Sequence, residues 1–277
     1  FVAVESANEL ADAVLEAKRQ GLKFFVLGAG SNILVSDRGF RGLVIQNRAR
    51  AVAFREEGGK IIMRAESGMG LPTLALQCIL RGAAGLEWAA TVPGTVGGAV
   101  VGNAGAHGSD MAATLRLATI LQGNGEIRDW TNANLKFAYR KSALKNGERG
   151  VVLSAEFVLT RGDPDEMQAR VESLMTRRKR TQPPGASIGS MFKNPPGDSA
   201  GRLIEAAGLK GMRIGKAEIS PIHANFFVNL GSATARDVYS LISVAQSKVR
   251  EKIGVELELE IWGFLWSSSF LQCLQHL

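Results

Sequence analysis

The chain has 277 residues, 45% of them hydrophobic and 21% charged, a composition that excludes a disordered or fibrous protein and leaves room for one large domain or two. Its 33 Lys and Arg against 26 Asp and Glu favour anionic partners, whether nucleic acid, lipid headgroups or phosphorylated small molecules, although 6% aromatic residues offer few platforms for stacking single strands. The two cysteines, Cys78 and Cys273, have no Cys or His partner at metal spacing, which argues against a disulfide framework and a structural zinc site.

From the N-terminus, residues 6–20 read as a helix: Ser6 is an N-cap with Glu9 three positions on, apolar residues recur at helical spacing, and Gly21 ends the run. A β-type run at 24–28 leads into GAGSNILVS, and a second run at 42–47 completes a βα-type opening. Residues 51–67 form two β-rich arms around Glu57-Gly58-Gly59, a hairpin pattern. A helix is predicted across 70–82, where Leu71, Leu74, Ala75 and Cys78 share a face. A second hairpin spans 115–131 and turns at Gly123-Asn124-Gly125, and 150–161 alternates as a strand. A charged helix at 164–180 leads to the turn-rich 181–187, the expected domain boundary. Beyond it come a short helix at 199–207, β-type runs at 216–230, a helix opening at Thr234, and a strand at 255–261.

No stretch reads as a membrane span. The longest weakly charged one, 83–106, contains Pro93, Glu87 and six glycines. The N-terminus has no basic region, apolar stretch or small-residue cleavage site, so a cytoplasmic protein is expected.

Several segments have the residue types for chemistry. GAGSN at 28–32 follows a strand, and its glycines, with Ser31 and Asn32, suit close approach to a diphosphate; a tight structural turn explains them equally well. It lacks the third glycine of a dinucleotide fingerprint, since Ile33 stands there, and no Gly-Lys-Ser/Thr follows. Eight glycines fall between 82 and 108, a density that speaks against a packed helix and, interleaved with Val, Ala and Trp88, favours a buried cofactor-lining loop over a flexible linker. Arg140, beside Tyr139 in FAYRKS, reads as a carboxylate ligand or as an exposed arginine. In SIGSMFKNPPGDSAG (187–201), Ser190, Lys193 and Asn194 cluster in an expected loop. The residues around Ser190 do not form a nucleophile elbow, so a hydrolase using His223 is a minor reading; Ser190 could instead protonate a carbanion-like centre. Glu256, Glu258 and Glu260 share one face of the 255–261 strand, ordinarily a solvated one. The run RRKR at 177–180 suits phosphate contacts or a helix end favoured by the macrodipole.

Taken together, GAGSN, TVPGTVGGAVVGNAGAHG, YRKS, GSMFKNP, AGRLIEAAGLKG, SPIHANFFVN and LELEI occur in an order that resembles the UDP-N-acetylenolpyruvoylglucosamine reductase family, over roughly residues 5–263. The resemblance implies an α+β protein. A vanillyl-alcohol-oxidase-like (PCMH-type) FAD-binding domain would cover 1–162 in two subdomains, about 1–48 and 49–162. A connecting helix would span 163–182 and a C-terminal α+β substrate-binding domain 183–265, with 266–277 an unassigned tail. It also implies FAD contacts from Gly28, Ala29, Gly30, Ser31, Asn32, Ile33 and Leu34, from Pro93, Gly94, Thr95, Gly97 and Gly98, and from Asn103, Ala104 and Gly105. Arg140, Ser190 and Glu260 match the family's catalytic positions, with Ser190 the proton donor; Tyr139, Lys193 and Asn194 match positions near the substrate. The implied partners are UDP-N-acetylglucosamine enolpyruvate and NADPH, with no metal, nucleic acid or membrane, acting on a monomer of the shorter subclass that lacks a tyrosine-bearing loop. Relatives open with an additional strand and a Gly-Gly-x-Ala turn before the first helix. The sequence opens at Phe1 without them, which leads to an expectation of impaired FAD binding or stability.

Overall fold

The computed structural model describes residues 1–264, and packing divides the chain into two units, Phe1–Gly30 with Arg41–Thr176, and Ser31–Phe40 with the chain from Arg177. The 266–277 tail, with Cys273, lies outside the described residues.

The first helix of the first unit is Ala7–Arg19. Ser6 Oγ accepts the Glu9 N–H at 3.2 Å, while the Glu9 carboxylate takes the N–H of Glu5. The first contact satisfies a donor that the helix start leaves without an intrahelical partner, and the second ties the residue before the cap to the first turn. A strand does precede this helix. Val2–Val4 pairs in parallel with Leu43–Asn47, which pairs on its other side with Phe24–Leu27. Three residues carry too little alternation to announce a strand, and it is the burial of Val4 against Leu10, Val14 and Ile45 that fixes this one.

The larger sheet of this unit is antiparallel, in the order Ile127–Thr131, Leu115–Gln122, Gly150–Arg161, Lys60–Glu66, Val52–Glu57, with Ala83–Ala84 attached to Gly150–Arg161. Gly58 and Gly59, at φ 55° and 74°, make the tight turn of the expected hairpin. The Gly150–Arg161 strand departs from simple alternation. Val152 opposes Ile120 and Ser154 opposes Thr119, so Leu153 is an extra residue that reverses the parity. Val151 and Leu153 therefore pack in the cluster of the first helix, whereas Ala155, Phe157 and Leu159 join the main core with Met63, Leu74 and Val100.

The glycine-rich segment also departs from expectation, because it contains a helix, Val96–Gly102. Thr95 caps it, and Val96, Ala99 and Val100 are buried. Propensity disfavours three glycines in seven residues, but here packing decides. A Cβ on Gly97 would lie 3.0 Å from Ser67 Cβ, so a larger residue could not bring this helix so close to the neighbouring segment.

The second unit has an antiparallel sheet in the order Ala186–Ser190, Phe226–Asn229, Ala217–Ile219, Arg213–Ile214, covered by helices Ala200–Ala206 and Ala235–Ile253. The longer helix opens at Thr234 as its sequence suggested, and Thr234 and Asp237 form a full capping box there. Phe192 and Phe227 meet edge to face, with centroids 6.1 Å apart, beside Leu203, Leu241 and Ile242. Two expectations are corrected here. Ser187 and Ser190 stand on a strand rather than in a loop, because its backbone pairs with Phe226–Asn229. Residues 255–261 are extended but form only a single bridge, Phe192 with Leu259; alternation marks an extended chain and does not by itself supply a partner. The regular strand is Trp262–Phe264, parallel to Ile33–Val35.

Candidate active site

The first unit has a half-open cavity of about 290 Å³ lined by Gly28, Ala29, Gln46–Arg48, Arg50, Gly68–Gly70, Thr73 and Thr95. The parallel ladder ends at Leu27, so Gly28 leaves the sheet at the cavity wall. There a Cβ would meet Thr95 Oγ1 at 2.6 Å. Opposite, Gly68 lies so close to residues 47–49 that a Cβ would fall 2.7 Å from Ala49 N, Ala49 O and Asn47 Oδ1. The Pro93–Gly98 segment is fastened to this wall by backbone bonds from Leu71 N to Gly94 O at 3.0 Å, Val96 N to Met69 O at 2.9 Å and Gly97 N to Ser67 O at 2.8 Å.

Buried Asn47 braces the wall, donating to Ser67 Oγ at 2.7 Å and accepting from Ala49 N at 3.0 Å. A cradle of glycine backbone with Arg48 and Arg50 on its lining fits the phosphates of a dinucleotide: the missing side chains allow close approach and the guanidiniums supply charge. The two arginines and Gly68 were not singled out from sequence. They belong to no glycine motif, and only the parallel sheet brings residues 46–50 beside Gly28.

Tyr139 and Arg140 occupy the corner of a tight turn closed by Ala138 N to Lys141 O at 3.1 Å and Lys141 N to Ala138 O at 3.0 Å. Arg140 adopts φ 56°, a left-handed conformation uncommon outside glycine, and its Cζ lies 5.5 Å from the Tyr139 ring centroid, within cation–π range. Tyr139 is exposed and Arg140 half-buried. Asn103, by contrast, is buried and points inward: its Nδ2 donates to Ala138 O at 3.0 Å and Asp110 Oδ2 at 3.1 Å, and its Oδ1 accepts from Ala112 N at 3.2 Å. Ala104 and Gly105 follow it into a small hairpin with Ser109–Asp110.

The second unit holds Ser31–Leu34 and brings several other predicted residues together. Between Ser187, opposite Val228, and Ser190, opposite Phe226, the strand carries one extra residue, with Gly189 at φ 80°. This bulge sets Ser190 on the face of Phe226 and Val228, away from the core side occupied by Phe227; bulges commonly re-aim a side chain in this way. Glu260 N donates to Met191 O at 3.0 Å and Lys193 N to Glu258 O at 2.8 Å, so the Ser190 and Glu260 segments run side by side. Asn32 joins them, its carbonyl accepting from Trp262 N at 3.0 Å.

The three glutamates that shared a face have different surroundings. Glu256 meets Arg250 in the open, Glu258 pairs with the buried Lys193 ammonium, and Glu260 is half-buried. Asn194 Oδ1 accepts the Ala200 N–H at 3.1 Å at the start of the short helix. His223 is tied into its own loop, its backbone N–H donating to Ser220 Oγ at 3.3 Å. Its Nδ1 accepts from Asn225 N at 3.3 Å and its ring packs on Phe226, while burial pushes its pKa below the usual value. RRKR ends the helix Pro164–Thr181, with Arg178, Lys179 and Arg180 in its last turn, where cations are stabilised by the negative end of the helix dipole. Among the described residues there is no cluster of metal-ligating side chains, and no helix long and apolar enough to cross a membrane.

Comparison with known proteins finds two family matches along the chain. The family model described as "FAD binding domain" matches residues 1–131, and that described as "UDP-N-acetylenolpyruvoylglucosamine reductase, C-terminal domain" matches 181–262. A UDP-N-acetylenolpyruvoylglucosamine reductase of Chloroflexus aggregans is 48% identical over 239 residues, covering 85% of this chain and 80% of the relative. One from Symbiobacterium thermophilum is 44% identical over 268 residues, covering 95% and 85%. The crystal structure of UDP-N-acetylenolpyruvylglucosamine reductase from Thermus caldophilus superposes with a TM-score of 0.79 at 36% identity, covering 95% of this chain and 92% of that one.

Proposed function

The chain belongs to the UDP-N-acetylenolpyruvoylglucosamine reductase family, and we propose that Arg140, Ser190 and Glu260 are its catalytic residues. The chain is an FAD-dependent oxidoreductase that reduces UDP-N-acetylglucosamine enolpyruvate in peptidoglycan precursor synthesis, with NADPH as co-substrate. The proposal divides the labour between 1–162, holding the flavin, and 183–265, holding the substrate, joined by the helix at 163–182.

Bound FAD supplies hydride transfer, from NADPH to the vinyl CH2 carbon of the substrate. In our reading the backbone of Gly28–Gly30 and Pro93–Gly98, with Arg48 and Arg50, holds the flavin's phosphates. Ser31–Leu34 and Asn103–Gly105 contribute further to the flavin site.

Hydride addition leaves carbanion character on the carbon bearing the substrate carboxylate. A guanidinium stabilises that charge, and Arg140, held at the corner of its turn, takes this part. Ser190 Oγ gives the proton. A hydroxyl is a weak acid, yet its proton need move only once the carbon has become basic. Glu260, on the extended segment beside Ser190, helps to orient or polarise the substrate's enolate centre. Tyr139, Lys193 and Asn194 line the substrate's path, with Lys193 already committed to Glu258.

The observation that carries the proposal is the bulge at Ile188–Gly189. It turns Ser190 to the sheet face opposite Phe227, beside Met191, whose carbonyl accepts from Glu260 N, which a purely structural serine on this strand would not require. On the same reading the chain works as a cytoplasmic monomer without nucleic-acid or membrane partners, which sedimentation of the holoprotein and cell fractionation would check. Ser190→Ala tests the chemistry. Reduction of the flavin by NADPH should be unchanged, and reoxidation by the enolpyruvyl substrate slowed by about 100-fold or more, the usual worth of a positioned acid. Equal loss in both half-reactions would remove Ser190 from the proton-donor role.

A further inference from the structure

We infer that Asn103 is a positioning residue for Arg140, acting by fixing the turn that carries the guanidinium. The inference rests on the role proposed above for Arg140 and adds to it the device that holds that residue in place.

Asn103 closes the Val96–Gly102 helix at φ 42°, a left-handed C-cap. Asparagine tolerates this conformation better than most residues, but glycine would serve the backbone at least as well. The side chain therefore calls for its own explanation. It is buried to 2% exposure, and three of its four hydrogen-bonding positions are used inside the protein. One Nδ2 bond ends on Ala138 O, the same carbonyl that accepts from Lys141 N to close the Tyr139-Arg140 turn. Both lone pairs of that oxygen are thereby engaged. The second Nδ2 bond, to Asp110, and the Oδ1 bond from Ala112 fix the amide's plane and decide which end faces Ala138.

A second tie runs alongside. Ser142, two residues past Arg140 and fully buried, donates from Oγ to Val101 O at 2.6 Å, gripping the last turn of the same helix. The FAYRKS segment is thus fastened to the helix end before and after its corner. Arg140 sits at that corner in a conformation costly for a residue with a Cβ, which persists only where surrounding contacts impose it. Losing the Asn103 bond would release the upstream side of the turn and let Arg140 relax toward ordinary φ values. Charge stabilisation depends on preorganised geometry, so the guanidinium would lose effect without leaving the site.

The test uses the holoenzyme and two variants. Asn103→Gly keeps the left-handed backbone and removes the amide; Asn103→Asp keeps the size and the acceptor but cannot donate to Ala138 O. Because Asn103 is also placed at the flavin site, flavin content from visible absorbance and the rate of reduction by NADPH are measured for each variant, and the effect on the turn is the slowing of reoxidation relative to reduction. Reoxidation by the enolpyruvyl substrate should slow by about 10- to 100-fold, the scale of a small misplacement of a catalytic group. In an Arg140→Ala background Asn103→Gly should add nothing further, because its effect passes through Arg140. Unchanged reoxidation in both variants would overturn the inference. So would flavin loss with both half-reactions falling together, or a slowing that multiplies with that of Arg140→Ala. If Arg140→Ala alone leaves reoxidation untouched, it is the catalytic reading of Arg140 that fails, and the inference fails with it.

Discussion

Gly68→Ala probes the tightest contact in the wall of the proposed flavin site. Gly68 does not have a positive φ, so alanine is acceptable to its backbone, and any cost arises from the methyl group itself. That methyl would sit 2.7 Å from Ala49 N, Ala49 O and Asn47 Oδ1; two of these are backbone atoms, and the third belongs to a buried amide bonded to Ser67. None is the free end of a flexible side chain. Overpacking of this kind costs about 1–3 kcal/mol, and parting Ala49 N from Asn47 Oδ1 leaves a buried donor unsatisfied at about 1–3 kcal/mol more. With about 4 kcal/mol in total, a chain of this size should melt about 10 °C lower. Thermal unfolding of the FAD-free protein measures this directly, and flavin titration should show weaker binding, because the 67–70 and 93–98 segments share the wall. Gly102→Ala is the control. Nothing lies within 4 Å of its Cβ position at the helix end, so it should be neutral or stabilising by about 0.4–1 kcal/mol. A Gly68→Ala protein melting within about 2 °C of the parent would mean that the close approach is not rigid, and would refute the reasoning.

Burial is the main reason that the His223 pKa lies below its ordinary 6.5, with Lys210 adding to the shift. The unfolded chain therefore takes up a proton that the folded protein resists. This group's contribution to stability is complete above pH 6.5 and is lost as pH falls toward the folded value. Urea midpoints measured from about pH 7.5 down to 5.5 should fall more steeply for the parent than for His223→Gln, and parallel profiles would contradict this. Burial, with the Glu87 charge nearby, pushes the Cys78 thiol up to about 12. Alkylation at about pH 8 followed by peptide mapping should leave Cys78 unmodified until the protein is denatured; rapid labelling of native protein would show that its helix opens readily.

The elements legible in the sequence are those whose cause is local. Ser6 and Thr234 announce helices because caps act within one turn, and Gly58-Gly59 announces a hairpin because both turn residues need positive φ. Ile33–Val35 could not be read as a strand, since its partner Trp262–Phe264 lies at the far end of the described chain. The Val96–Gly102 helix was hidden by its three glycines, poor helix formers of which Gly97 allows the close contact with Ser67. The catalytic candidates Arg140, Ser190 and Glu260 were recognisable only through the joint order of several motifs. What sequence could not convey is their support. Whether an asparagine at a helix end turns its amide outward or toward Ala138 depends on Asp110 and Ala112, and whether Ser190 faces the core depends on one extra residue in a strand.

The placement of Ser31–Phe40 in the second unit has a consequence for how the chain acquires its structure. This segment is synthesised early, yet the strand beside it, Trp262–Phe264, and the helix start that its Asp37 caps, through Ala235 N at 2.7 Å and Arg236 N at 3.1 Å, come roughly 200 residues later. Contacts across so long a loop form only after its closure entropy has been overcome. Ribosome-bound chains ending before Ala235 should therefore carry an unsatisfied Ser31–Phe40. A fragment excised from residue 177 onward would lack both the parallel neighbour of its last strand and the carboxylate that caps its longest helix. The second unit is continuous in space but not in sequence, and its folding is completed by a segment embedded in the first.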